Sequence, residues 1–373
     1  MKMKVSHIVL SLGYGGIETM VVNIANEQAY LGAEVIVIII NDLVSQELYN
    51  RFSPDVKVVQ IGRKLGSKSF SFIKRLGSEL DCLKPNVVHL HGSAMYDFLP
   101  RRWRNGVVCS TLHAIPYGVC GVSWHLGRFI QRYVLHQEGN VMNINRVSCV
   151  FAISNSVSSA LKEKYGVDSY VICNGINSST FSKRVPVMPS KGLKIVSVGR
   201  LEHEKKGQDL LIDAIVQLIK DNRDCSLDMI GEGPSRPFLE SLIRKQGLQG
   251  RIRLLGSKSQ NYIASHLCDY DIFVQPSRYE GFGLTVAEAM ASQVPVIVSS
   301  GQGPEEVTSG QTYGWVFHSG NSKDLAQIIA CAFDNYKVFL DKVIPARLHV
   351  ETCYDVRVTA NKYLDAYSNL NKN

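Results

Sequence analysis

Short apolar runs alternate with amphipathic stretches along most of this chain. Val5–Leu10, Val35–Ile40, Val56–Ile61, Val87–Leu90, Val107–Leu112, Val150–Ile153 and Tyr170–Cys173 are too short for helices and rich in β-branched residues, so each predicts a strand. Between the first two, Thr19–Ala29 places Met20, Ile24 and Ala25 on one helical face. Trp124–Leu135 carries a similar stripe of Leu126, Phe129, Ile130, Tyr133 and Val134, with Arg128 and Arg132 off it. Residues 182–192 contain Pro186, Pro189 and Gly192, which break both periodicities and predict a linker. The pattern then restarts, with strands expected at Leu193–Val198, Ser226–Ile230, Ile252–Leu255, Ile272–Val274 and Val294–Val298. Helices are expected at Asp209–Lys220, Arg236–Gln246, Leu284–Ala291 and Asp324–Phe333.

Strand–helix alternation favours parallel sheets with helical cover. Two successive α/β halves, each opening on a strand, a glycine-containing turn and a helix, predict two Rossmann-like domains. The first is expected over residues 1–181 and the second over 193–353, with a terminal segment, 354–373, returning to the first. Ligands in such folds bind beyond the carboxyl ends of the strands, so a cleft shared by the two sheets is the expected site.

Composition narrows the classes. The longest aliphatic run is Val35–Ile40, far below the ~20 residues of a membrane span. The first ten residues lack the apolar region of a signal peptide, so a cytoplasmic protein is expected. Nine cysteines, scattered singly, predict reduced thiols rather than a disulfide or zinc framework. The net charge of +8 is uneven: residues 1–175 carry 18 Lys and Arg against 12 Asp and Glu. The excess gathers at Arg63, Lys64, Lys68, Lys74 and Arg75, and at Arg101, Arg102 and Arg104. Such a half could face anionic lipid or a phosphorylated acceptor, or could simply be solvated. No aromatic-interleaved basic stretch accompanies it, which argues against nucleic acid.

Chemistry concentrates in four places. Gly13-Tyr14-Gly15-Gly16-Ile17-Glu18 follows the first strand, but Glu18 occupies the place where a dinucleotide fingerprint needs its last glycine, so a dehydrogenase is disfavoured. Backbone N–H groups at such a turn still suit a diphosphate or a sugar. In the second half, Gly199-Arg200-Leu201 and Lys205-Lys206-Gly207 put two cations near a strand end and a helix entrance, as a leaving pyrophosphate requires. Pro276–Ala289 sets Glu280 and Glu288 on either side of a glycine-rich loop that opens a helix. Carboxylates accept paired bonds from vicinal hydroxyls, and Gly281 and Gly283 let backbone approach ligand oxygens. Two further patterns invite metal readings. Asp269-Tyr270-Asp271 leads straight into a strand and is expected to be structural; His89 and His91 share one side of a strand without a third ligand at clear spacing.

Glu280 to Glu288 resembles the E-x7-E signature of retaining GT-B glycosyltransferases, especially glycosyltransferase family 4. Gly199-Arg200-Leu201 with Lys206-Gly207 resembles that family's G-R-L…K-G element. Gly231-Glu232-Gly233-Pro234 is similar to its G-x-G-P turn, Gly15-Gly16-Ile17-Glu18 to its G-G-x-E loop, and Ser154-Asn155-Ser156-Val157 to its S-x-x-V segment. The elements run in family order from about residue 7 to 320.

The resemblance implies an α/β GT-B protein whose second domain binds a nucleotide-diphosphate sugar, UDP-linked before GDP-linked, while the first binds a glycan or lipid-linked acceptor. Arg200 and Lys206 would hold the diphosphate, Glu288 the ribose and Glu280 the sugar. Backbone of Gly281, Phe282, Gly283, Leu284 and Thr285 would complete the cradle, with Gly15, Gly16 and Glu232 also on the donor side. His113 matches the family histidine near the transferred sugar and joins Arg200, Lys206 and Glu280 as the catalytic set. Retention is usually explained by front-face attack in which the leaving phosphate takes the acceptor proton. No cofactor and no metal are then expected. A cytoplasmic enzyme, peripheral at the membrane's inner face and serving surface-polysaccharide synthesis, fits the analogy. A nucleotide-sugar epimerase or phosphorylase of the same architecture and a non-catalytic nucleotide-sugar-binding subunit are the alternatives. Two positions depart from the family pattern: Asn177 after Asn174-Gly175-Ile176, and Gln302 within Gly301-Gln302-Gly303-Pro304-Glu305.

Overall fold

The computed structural model describes residues 2–13, 15–114, 144–189 and 192–371. The helix expected at Trp124–Leu135 lies outside them. The chain divides into two compact units, one of residues 1–175 with 356–373, the other of residues 176–355.

The first unit is a seven-stranded parallel sheet in the order β3-β2-β1-β4-β5-β6-β7, comprising β1 (Lys4–Val9), β2 (Glu34–Asn41), β3 (Val56–Arg63), β4 (Val87–His91), β5 (Val107–Leu112), β6 (Cys149–Ala152) and β7 (Tyr170–Val171). Its β2 is buried at every position after Glu34, as a strand covered on both faces must be. Helix Gly16–Tyr30 seats Met20, Val21, Ile24 and Ala25 against one face. Helix Ser71–Leu83, not foreseen from the sequence, covers the other with Phe72, Leu76 and Leu80. Its interior serine, glycine and two charged pairs obscure a stripe that is clear once the helix is built. Ser154 caps helix Asn155–Tyr165 by accepting from the Val157 amide at 3.2 Å, and Val157 is fully buried, which gives the S-x-x-V segment a local physical reason. The terminal helix Val356–Leu370 packs on Gly16–Tyr30 in this unit, burying Tyr363 and Tyr367 beside Phe151.

The second unit is a six-stranded parallel sheet, β10-β9-β8-β11-β12-β13, comprising β8 (Leu193–Val198), β9 (Cys225–Ile230), β10 (Ile252–Leu254), β11 (Ile272–Gln275), β12 (Val296–Ser299) and β13 (Trp315–Phe317). Both sheets reverse direction of growth beside their first strand, the arrangement that leaves a crevice at the strand ends. Helices Gln208–Lys220 and Ser322–Asp334 pack together over one face through Leu211, Ile215, Leu218, Leu325 and Ile329. β13 was not foreseen, because three residues starting with a tryptophan carry no period. Among the described residues no helix is long and apolar enough to cross a membrane.

The units meet the chain at Gly175/Ile176 and Asp355/Val356, not at 181 and 193. Described residues of the expected linker belong to the second unit. The Arg184 amide donates to Ser292 O at 2.8 Å, and its guanidinium forms a buried 2.5 Å ion pair with Asp271. Asp271 also accepts from the Lys194 amide at 2.8 Å, and Arg184 donates to Tyr270 O. The proline and glycine breaks marked an irregular path correctly, but an irregular path pinned by a buried charge is not a free one. Asp269-Tyr270-Asp271 is thereby structural, its last carboxylate wholly engaged at the base of β11.

Removing one partner of a buried pair strands the other charge. Asp271→Ala is expected to destabilise the second unit by about 3–5 kcal/mol, and Asp271→Ala combined with Arg184→Met to recover part of that loss. Urea unfolding would show it; an unchanged midpoint in Asp271→Ala would contradict the role given to the pair.

Candidate functional site

The polar groups of the second unit collect where β8, β9, β11 and β12 end. β8 runs into Gly199 and Arg200, whose guanidinium is exposed and makes no hydrogen bond or ion pair among the described residues. The Gln208 amide holds the Arg200 carbonyl at 2.8 Å, and the Leu201 amide donates to Glu232 O. A single helical turn, His203–Lys206, then ends at Gly207 in the left-handed region (φ 65°). A Cβ there would overlap the Pro276 carbonyl, so only glycine lets the loop after β8 lie against the loop after β11. The Lys205 carbonyl accepts from the Tyr279 amide, closing the same seam.

That seam brings Lys206 onto Glu280. Their ion pair is short, and the same carboxylate oxygen accepts from Gln275 Nε2 at 3.2 Å. Gln275 Nε2 donates to Ser277 Oγ, and its carbonyl accepts from Thr285 Oγ1 at 2.9 Å. Arg278 grips Asp209 through two 2.7 Å bonds and donates to His203 O, bracing the loop against the helix behind it. Helix Leu284–Ala291 starts at Gly283 (φ 98°) with no side-chain cap, leaving its first amides without a side-chain acceptor. Glu288, over one turn in, is buried and accepts from Gln260 Nε2 at 2.8 Å. Phe282 is buried edge-on to Tyr354 at 5.4 Å, so its side chain anchors the loop.

Gln302 departs from the family pattern and has a task here. Its Oε1 accepts from the Glu280 amide and its Nε2 donates to Arg278 O, so one amide clasps the loop on both sides of Tyr279. Neighbouring Gly303 is obligatory, since a Cβ would overlap the Gly281 carbonyl. Sequence reasoning missed Gln275 and Gln260, because a glutamine has no distinctive spacing; Gln302 stood out only as a departure from the family pattern, with no task attached to it. Glu232 is half-exposed and paired with Arg236 at 2.6 Å, one turn along the following helix.

The first unit holds Gly15, Gly16 and His113. Gly15 sits at the N-cap of helix Gly16–Tyr30 with no side-chain cap, and Glu18 lies in the first turn. His113 follows β5 and joins a buried array. The Gln28 carbonyl meets His7 Nε2 at 2.8 Å, His7 Nδ1 meets His91 Nε2 at 3.0 Å, and His91 Nδ1 meets His113 Nε2 at 3.3 Å. His89 lies alongside, bonded to Tyr367 and, at 2.7 Å, to Thr111. Thus β1 supplies the third histidine that spacing alone did not reveal, and His7, His89 and His91 bring nitrogens within 4.8 Å of one another. All six of their ring nitrogens already have hydrogen-bond partners, so holding a cation would break bonds to Gln28, Tyr367, Thr111 or His113. Burial lowers His7 to about 4 and His113 to about 3, and takes His89 and His91 well below the usual range. The basic cluster divides: Arg63, Lys64 and Arg75 line a groove of about 630 Å³ with Ser67, Ser69 and Ser71, whereas Arg102 pairs with Asp81.

Two six- or seven-stranded parallel units of this order, one with paired cations and two carboxylates at its strand ends, define the GT-B class of α/β proteins. Family models agree: Glycosyltransferase Family 4 matches residues 14–180 and Glycosyl transferases group 1 matches residues 178–341. The chain belongs to glycosyltransferase family 4. It is 29% identical over 163 residues to the alpha-D-kanosaminyltransferase of Streptomyces kanamyceticus, covering 43% of this chain and 42% of that protein. It is 30% identical over 191 residues to an amylovoran biosynthesis glycosyltransferase of Erwinia amylovora, covering 49% and 46%. The matches therefore span under half the length of these relatives. Among solved structures, HepE of Anabaena, in complex with UDP and glucose, is similar at a TM-score of 0.79 and 20% identity, covering 98% of this chain and 99% of that one.

The histidine array carries a pH dependence. A base whose pKa is depressed in the folded state binds fewer protons there than when unfolded, so stability is lost as pH falls below 6.5 and on toward the folded value. For His7 the window is 6.5 to about 4, a contribution on the order of 3 kcal/mol, and His89, His91 and His113 add in the same direction. Hydrogen exchange in β1 and β4, corrected for intrinsic pH dependence, should therefore accelerate between pH 7 and 5. Unchanged protection would contradict neutral, buried histidines.

Proposed function

We propose that this chain is a retaining glycosyltransferase that moves a hexose or related sugar from a nucleotide-diphosphate donor, UDP-linked in preference to GDP-linked, to a glycan or lipid-linked acceptor. The observation that carries the reading is the seam at Gly207. It sets an unpartnered Arg200, the Lys206–Glu280 pair and an uncapped helix entrance at Gly283 around the ends of β8 and β11.

In this reading Arg200, Lys206 and the first amides of helix Leu284–Ala291 neutralise the diphosphate. Glu288, fixed by Gln260, takes the ribose hydroxyls, and Glu280 takes the sugar hydroxyls. The anomeric carbon–oxygen bond to phosphate breaks as the acceptor oxygen bonds the same carbon from the same face. The acceptor proton passes to the departing phosphate oxygen. The protein orients the partners and stabilises charge. No metal is needed, because two side-chain cations and a helix entrance occupy the role one would fill.

A complex of HepE with UDP and glucose favours the UDP reading, and an amylovoran biosynthesis relative favours polysaccharide assembly. The acceptor belongs with the first unit. Its basic groove at Arg63, Lys64 and Arg75, with exposed Leu65 and Phe70 in the same loop, suits peripheral contact with an anionic membrane face. In this reading the work is done in the cytoplasm, at the membrane's inner surface.

Arg200→Ala and Glu288→Ala are each expected to lower transfer by a hundredfold or more, a loss of about 3 kcal/mol typical of one electrostatic contact. Gln302→Leu is expected to lower it roughly tenfold through the loosened Glu280 loop. A thermal-shift series with UDP, GDP and ADP, with and without EDTA, should show stabilisation by UDP that EDTA leaves intact. Full activity in an Arg200→Ala, Glu288→Ala double variant would remove the site assignment. Sugar release without acceptor, followed by isomerisation, would favour an epimerase.

A further inference from the structure

The buried array of the first unit has a direction. With the Gln28 amide turned so that Oε1 faces His7, Oε1 accepts and His7 Nε2 carries the proton in their 2.8 Å bond. His7 is completely enclosed and neutral, which leaves Nδ1 as a lone pair. The 3.0 Å bond to His91 is then donated by His91 Nε2. His91 is enclosed and neutral as well, so its Nδ1 accepts from His113 Nε2 across 3.3 Å. Each step follows from that one orientation of the Gln28 amide. At the end of the chain His113 holds its proton on Nε2 and presents Nδ1 as an acceptor. That nitrogen is buried and has no hydrogen-bond partner among the described residues. A buried acceptor left unpaired costs free energy, and buried polar groups without partners are rare enough to mark a place for a ligand donor.

We propose that Gln28 is a positioning residue for transfer. Acting through His7 and His91, it fixes the Nε2–H tautomer of His113, so that Nδ1 accepts a hydrogen bond from a hydroxyl of the bound sugar. The proposal rests on the reading of His113 as a sugar contact. Gln28 touches neither donor nor acceptor in it: it lies on the buried face of helix Gly16–Tyr30 and works through two strands, β1 and β4. Reversal would require all three rings to exchange protons together; His113 would then donate from Nδ1, and the sugar hydroxyl would have to accept in place of donating. Single-site changes at Gln28 should thus alter hydrogen-bond polarity at His113 without altering the shape of the site. His89 is not part of this line, since its two nitrogens are bonded to Tyr367 and Thr111.

The test reads tautomers directly, by nitrogen-15 NMR of the full chain labelled at histidine, with a His113→Gln spectrum for assignment. Wild-type protein at neutral pH should show His113 protonated on Nε2 and bare on Nδ1. Gln28→Met, which keeps volume and removes the acceptor, should yield a population protonated on Nδ1. In parallel, Gln28→Met should raise KM for the nucleotide sugar roughly tenfold, the worth of one hydrogen bond, with KM for the acceptor unchanged. A proton on Nδ1 in the wild type, or the wild-type pattern in Gln28→Met, would overturn the proposal. The wild-type spectrum decides alone if Gln28→Met does not fold. An altered tautomer with unaltered donor KM would uphold the wiring and count against the sugar reading of His113, so the two failures are distinguishable.

Discussion

A parallel sheet covered on both faces has no room for polar side chains along its strands, and its backbone groups are spent on one another. Apolar residues fill most of the strand interiors, with Ser6, His7, His89, Ser110, Thr111, Ser197 and Asp228 as buried exceptions, and in the second unit the chemistry collects where the ladders stop, at the carboxyl ends of β8, β9, β11 and β12. Packing four such ends together then demands close backbone approach. Gly207 against Pro276, Gly231 against Gly199 and Gly303 against Gly281 are the contacts where a Cβ would collide with a neighbouring carbonyl. Arg200, Lys206, Glu280 and Glu288 owe their arrangement to those glycines.

The first unit answers the same constraint differently. It does admit polar residues into its sheet interior, at His7, His89, His91 and Thr111, and satisfies them with Gln28, Tyr363 and Tyr367 from the helices covering one face. Rings enclosed in this way stay neutral, and neutral rings give hydrogen bonds a direction.

Much of the fold was legible because strand positions follow continuous apolar runs, and most strand boundaries fall within two residues of the pattern. Helices with mixed faces, such as Ser71–Leu83, were not, and the three-residue β13 offered no period. The boundary between units was misplaced because Pro186 and Pro189 signal an irregular path equally well whether it is free or held, and only the buried Arg184–Asp271 pair tells which. In the candidate site, charged residues and glycines stood out by spacing. The glutamines that orient them did not, since an amide's role depends on partners far apart in sequence: Gln302 lies 22 residues from Glu280 and Gln260 lies 28 from Glu288. His7 is the sharpest case, being an unremarkable strand residue until β1 and β4 are laid side by side.

The terminal helix Val356–Leu370 belongs to the unit that the chain left at Gly175. Tyr363 and Tyr367 complete the packing around Phe151 and bond directly to Thr111 and His89. During synthesis these two tyrosines emerge only after the 180 residues of Ile176–Asp355, a delay on the order of ten to forty seconds at ordinary ribosomal rates. Throughout that interval the first sheet lacks the two tyrosines that finish the packing beside helix Gly16–Tyr30, and His89 and Thr111 lack their phenol partners. The second unit is complete at Asp355 and the first only when the helix after it has been made, so the two units are completed in the reverse of the order in which they are begun.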